Sequence, residues 1–238
     1  MHRILGIAAS PRKSGGSIAL LKCALLAAEE EGIKTEIVYL YDHRIEPCIG
    51  CIKNGDERDC KYPCIFDDYG KEILKKLKEF DGYIIATPVY WYGPSGPLKI
   101  LIDRMTALEN MVVFGEQSYV EGKVVGVITV GSDAGVTLCG AYLITVLNAM
   151  GAIIPPWAHA YSHRGKDAIY DDRAVMDAIN VGRLSAKLIK VLEGKREDLL
   201  YKEDFEQMKR IRERVLKQME GENDTEIYKR KDGKTLDR

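Results

Sequence analysis

The chain has 238 residues, 46% hydrophobic and 30% charged, and its 35 Lys and Arg against 36 Asp and Glu leave a net charge of −1. That length carries one α/β domain of about 150–200 residues plus an appendage, with a core large enough to fold without disulfides. The balanced, interspersed charge excludes a nucleic-acid-binding surface, and no apolar run approaches the ~18 residues of a membrane-spanning helix, so a cytoplasmic protein is expected.

Apolar runs and helical stretches alternate along the chain. "RILGIAA" (3–9) is short and nearly all apolar, as in a strand buried on both faces. "SIALLKCALLAAEEEG" (17–32) reads as a helix from an N-cap at Ser17 to a stop at Gly32. "KTEIVYLY" (34–41) is a strand. "DDYGKEILKKLKEF" (67–80) is a helix with Ile73, Leu74, Leu77 and Phe80 on one face and two acids at its positive end. "GYIIATP" (82–88) is a strand, "PLKILIDRMTAL" (97–108) a helix with Pro in its first turn, and "KVVGVITV" (123–130) a strand. "TLCGAYLITVLNAM" (137–150) is a helix, "AIIPPWAHAY" (152–161) a strand weakened by two prolines, and "DRAVMDAINVGRLSAKLIKVLEG" (172–194) a long helix. Five strands alternating with five helices predict a doubly wound parallel sheet over 1–194, with a cysteine-bearing insertion at 45–66. Residues 195–238 form a charged tail whose helix (202–221) has few apolar positions, and which reads equally as a solvated extension or an oligomerisation arm.

Ligands of open α/β sheets sit beyond the carboxyl ends of the strands. "AASPRKSGGS" (8–17) joins the first strand to a helix there. Its backbone N–H groups, the hydroxyls of Ser10, Ser14 and Ser17, the close approach allowed by Gly15 and Gly16, and the charge of Arg12 or Lys13 suit a phosphate. The loop is neither G-x-G-x-x-G nor a P-loop, so a phosphomonoester fits better than a dinucleotide or a nucleoside triphosphate. After the third strand, "TPVYWYGPSGPLK" (87–99) holds Tyr90, Trp91 and Tyr92 between Pro88 and Gly93, an aromatic wall for a flat ligand or a partner surface. After the fourth, "VGSDAGVT" (130–137) offers Ser132, Asp133 and close backbone at Gly135. A phosphate cradle, an aromatic wall and a backbone platform on one rim describe a flavin mononucleotide site.

"CIGCIKNGDERDCKYPC" packs Cys48, Cys51, Cys60 and Cys64 into seventeen residues. Four thiols in a reducing compartment point to metal before disulfide. A [4Fe–4S] cluster, a tetrahedral zinc, one or two disulfides such as Cys60–Cys64, and free thiols all remain open from the residues alone. Cys23 and Cys139 fall among apolar residues of helices and read as small core hydrophobes. His43, His159 and His163 form no metal-ligand pattern.

"SPRKSGGS", "PCIGC…C…C…DD", "ATPVYWYGPSGPLKILIDR" and "GSDAG", in that order, resemble the NAD(P)H-dependent FMN reductase family, and within it the iron–sulfur flavoproteins of anaerobic archaea and bacteria. The resemblance covers roughly residues 1–190. It implies a flavodoxin-like fold, non-covalent FMN, a dimer or tetramer, and a [4Fe–4S] cluster on the cysteine loop. It also implies oxidoreductase activity, with NAD(P)H or ferredoxin as donor and a quinone, dioxygen or peroxide as acceptor. It places the phosphate on Ser10, Arg12, Ser17 and the backbone of Ile18, and the ring between Pro88, Val89, Tyr90, Trp91, Tyr92 and the Ser132–Gly135 turn. Cluster members usually show C-x2-C-x2-C and a fourth Cys about five residues on. Here the spacing is C-x2-C-x8-C-x3-C, with Asn54 where the third Cys is expected. The same resemblance matches Lys99, Asp103 and Arg104, whose expected role is structural.

Overall fold

A computed structural model describes residues 1–52, 59–194 and 204–220; the "NGDERD" insertion up to Arg58, Asn54 included, and the tail outside 204–220 lie beyond the described residues. The strands are β1 (Arg3–Ala8), β2 (Lys34–Tyr39), β3 (Gly82–Pro88), β4 (Val124–Val130) and β5 (His159–Ser162). They pair in parallel in the order β2-β1-β3-β4-β5. That is the flavodoxin-like order, which reverses direction between β1 and β3 and opens a crevice at their carboxyl ends.

The helices are α1 (Gly16–Glu30), α2 (Tyr69–Glu79), α3 (Gly96–Arg104), α4 (Thr106–Glu109), α5 (Val136–Ala149), α6 (Asp172–Leu192) and α7 (Phe205–Glu220). Side chains of each central strand alternate between two cores. Ile4, Ile84, Ala86 and Ile128 pack with α1 and α6, while Leu5, Ile7, Tyr83, Ile85 and Val127 pack with α2, α3 and α5. Three layers result. No helix among the described residues is long and apolar enough to cross a membrane.

Several boundaries differ from the sequence reading, each for a local reason. α1 starts before Ser17, because the Gly15 carbonyl already accepts the N–H groups of Ile18 and Ala19, both at 3.0 Å. The helix expected over 97–108 breaks at Met105, where the Thr106 hydroxyl bonds the Asp103 carbonyl at 2.9 Å. The strand expected over 152–161 survives at its start only as one bridge, Val124 to Ile153, because Pro155 and Pro156 supply no N–H to the ladder; β5 proper begins at His159.

The tail helix α7 docks on its own domain. Met208, Ile211 and Val215, spaced three and four apart, are buried in the α1–α6 core, and Arg210 pairs with Glu30 at 2.9 Å. Arg212 bridges to Asp172 at the start of α6.

Candidate functional site

Four strand ends build one crevice of about 440 Å³ at the carboxyl rim. The loop after β1 contributes Ser10, Arg12, Gly15, Gly16 and Ser17, that after β3 Pro88, Val89 and Tyr90, and that after β4 Gly131 and Ser132. The loop after β5 adds Arg164, Gly165, Lys166 and Asp167, a wall the sequence reading did not contain. Its signal was present as two cations around a glycine at a strand end, in "SHRGKD" (162–167).

The phosphate-type end of the crevice is the N-terminus of α1. The helix has no side-chain cap and no acid in its first turn, so none of its own side chains offsets its positive end. Ser10 Oγ accepts the Arg12 N–H at 3.2 Å and folds the loop back under the helix. Gly16 is obligatory. A Cβ there would stand 2.0 Å from the Gly165 carbonyl oxygen, so the β1 and β5 loops touch only because the side chain is missing. Lys13 turns away, pairing with Asp42 at 3.1 Å and lying over the Tyr39 ring, which leaves Arg12 as this loop's cation at the crevice.

Not every expected residue reaches the wall. Ser14 and Ile18 do not line it; Ile18 is fully buried in the core, with its N–H on Gly15. Tyr90 and Gly93 exchange backbone hydrogen bonds at 3.0 and 3.1 Å, making Trp91 and Tyr92 the two central residues of a tight hairpin turn. Both have positive φ, 48° and 64°, a conformation costly for aromatic residues and concentrated at functional sites. Tyr92 covers the Gly135 turn, while Trp91 is 96% exposed; neither they nor Gly93, Asp133 and Gly135 line the crevice itself. Asp133 instead offers its carbonyl to His163 at 3.0 Å.

The four loop cysteines converge on a second, small and mostly apolar cavity, lined also by Ile49, Ile65, Phe66, Asp103, Arg104 and Ala107. All four are free thiols. Among the described residues, no three His, Cys, Asp or Glu side chains gather tightly enough to hold a single ion. Burial first, then the neighbouring charges of Cys51, Cys64 and Cys48, push the Cys60 thiol up to about 12. The Cys60 thiol therefore resists ionising in this setting. Cys23 and Cys139 are buried in helices with their thiols raised to about 12 and 11 by burial, as inert core groups are.

One buried ion pair closes the cysteine loop at both ends. Arg104 Nη1 and Nη2 donate to the Asp68 carboxylate at 2.6 and 2.9 Å, and Nη1 also donates to the Glu46 carbonyl at 3.2 Å. Asp68 in turn accepts the Glu46 and Lys71 N–H groups and caps α2. Burial alone would raise the Asp68 carboxyl, but Arg104 and those two N–H groups hold it below its ordinary value. Lys99 and Asp103 form an i,i+4 pair on the exposed face of α3.

His159 is structural. The Thr129 hydroxyl donates to the Val136 carbonyl at 2.8 Å, so at 2.7 Å it accepts from His159 Nε2, which places a ring proton on Nε2. Burial lowers its pKa from 6.5 to about 4. Below pH 6.5 the unfolded chain takes a proton that the folded chain refuses, so stability falls as pH drops from 6.5 to about 4, by up to ~3 kcal/mol. Thermal melts across that range are expected to show the loss, and His159→Gln to flatten its slope.

A profile of the NADPH-dependent FMN reductase family matches residues 2–167. An iron–sulfur flavoprotein of Methanocaldococcus jannaschii is 35% identical over 80% of this chain and 98% of its own length. One from Archaeoglobus fulgidus is 28% identical over 88% of this chain and 89% of its length. In fold, the chain is similar to RosB bound to 8-demethyl-8-formylriboflavin-5'-phosphate (TM-score 0.66, 20% identity, 88% and 87% coverage) and to an archaeal flavodoxin (TM-score 0.51, 12% identity, 80% and 99% coverage). The chain therefore belongs to the NADPH-dependent FMN reductase family, among its iron–sulfur flavoproteins, and is an FMN-dependent oxidoreductase.

Proposed function

We propose that the rim crevice is the FMN site and that the four loop cysteines carry a [4Fe–4S] cluster. The observation that carries the first part is the uncapped α1 terminus with Ser10, Arg12, Gly16 and Ser17 around it, a setting for one phosphate. Pro88, Val89, Tyr90 and Ser132 border the ring, and Arg164 and Lys166 add positive charge from the far wall. The convergence of Cys48, Cys51, Cys60 and Cys64 on one cavity supports the second part, since a [4Fe–4S] cluster takes four thiolate ligands. Bound FMN supplies two-electron chemistry and a bound cluster one-electron transfer. This chain's residues fix the phosphate, present one ring face to the rim, and keep the thiol cavity mostly apolar.

The reading gives a cytoplasmic redox enzyme. It takes electrons from a ferredoxin-type donor or NAD(P)H and delivers them to a small acceptor such as a quinone, dioxygen or peroxide. Trp91, Tyr92 and Trp157, exposed and at positive φ, fit a subunit contact in a homodimer or homotetramer. Steady-state assays with reduced ferredoxin and with NAD(P)H, each with a quinone acceptor, test the reading. Turnover with either donor is the expected result. Reduction without turnover would make the protein a carrier, and no reduction by either would contradict the proposal.

A further inference from the structure

Arg104 is fully buried, and its guanidinium is only partly satisfied. Nη1 and Nη2 are taken by Asp68 and Glu46, but Nε is buried without any hydrogen-bond partner. A buried donor left unpaired is costly, and a group that accepts from it would offset that cost. The side chain lines the same cavity as the four cysteines, with the Phe66 ring 5.1 Å from the guanidinium carbon. Asp103, the other charged group of that cavity, is engaged with Lys99. The Thr106 hydroxyl, also in the lining, donates to the Asp103 carbonyl, and the four sulfurs are the other acceptors gathered in the cavity.

We propose that Arg104 is the positioning and potential-setting residue of the thiol centre, donating its Nε–H to a sulfur there and holding a fixed positive charge beside it. The assignment rests on the reading of the four cysteines as cluster ligands. Two consequences follow from the same geometry. Through Asp68 and Glu46, Arg104 ties the segment before Cys48 to the segment after Cys64, so the thiols are brought together by one buried pair. A donor to sulfur and an adjacent cation both favour the more negative, reduced state of an iron–sulfur centre.

The test is a redox titration of the anaerobically purified holoprotein, followed by the electron paramagnetic resonance of the reduced centre and, in parallel, by flavin absorbance. Removing Arg104 alone would strand Asp68, so the informative variant is the double substitution Arg104→Gln with Asp68→Asn. At a fixed poise near the wild-type midpoint, its reduced-to-oxidised ratio is expected to fall about tenfold, equivalent to 59 mV for a one-electron couple, with the flavin curve unmoved. Arg104→Lys keeps the charge and the Asp68 partner but carries no N–H at the Nε position. It is expected to shift the ratio in the same direction by a smaller factor, and it carries the test if the double variant does not fold. Full iron content with an unmoved ratio in both variants would overturn the assignment alone. Wild-type protein without iron would overturn the cluster reading and this assignment with it.

Discussion

Ser10→Asp is expected to give a folded protein that purifies without its flavin. Ser10 is nearly buried, in the turn that faces the α1 terminus and Arg12. A carboxylate there is tolerated by the fold, because it faces the helix's positive end and can still accept the Arg12 N–H. The same carboxylate then stands within a few ångströms of the phosphate it replaces. Two like charges at about 4 Å repel by ~4 kcal/mol at an effective dielectric constant of 20, so FMN should bind at least ~100-fold more weakly. Ser10→Ala loses only a neutral donor and should cost about tenfold or less. Titration of apoprotein with FMN, read by quenching of flavin fluorescence, measures both. Ser10→Asp protein that remains yellow with unchanged flavin content would contradict the phosphate assignment.

Gly182→Ala is expected to be the most damaging single methyl in the fold. α6 crosses α1 so closely that a Cβ at Gly182 would lie 1.8 Å from the Ala24 carbonyl oxygen, and the obstacle is backbone rather than a side chain that can rotate away. The two helices fill one face of the sheet together, so a shift of one propagates through Ile18, Leu21, Val175 and Ile179. Overpacking of this kind costs about 3 kcal/mol, a large part of the 5–15 kcal/mol that keeps a domain folded. The melting temperature should drop by roughly 10 °C. Gly96→Ala is the control: a Cβ there meets nothing within 4 Å, and its melting temperature should stay at the wild-type value. An unchanged melting temperature for Gly182→Ala would show that the crossing is looser than described.

The sheet was readable because its central strands are buried on both faces. Runs such as residues 3–9 and 82–88 carry no polar side to confuse them with amphipathic helices. Three of the four crevice loops were readable for a related reason, since each follows such a strand. The fourth was not. β5 lies at the edge, is only four residues long and is preceded by two prolines, so its end, and with it Arg164–Asp167, did not stand out as a rim position. The docking of α7 was hidden by composition. Three buried side chains, Met208, Ile211 and Val215, suffice to seat a helix whose other positions are mostly charged. Arg104 shows the limit of motif reading. An Asp-Arg pair on a helix suggests that the two residues act together, whereas Asp103 pairs with Lys99 and Arg104 reaches 36 positions back to Asp68. Which partner a long side chain chooses depends on tertiary contacts that a local pattern does not encode.

Flavin, iron and acid-labile sulfide measured per chain on one anaerobically purified sample test the central claim most directly. One rim crevice for FMN and one four-thiol centre predict about one flavin, about four iron and about four sulfide. Protein that takes up no FMN when offered it, or flavin-loaded protein whose cysteines hold zinc or no metal at all, would contradict the account.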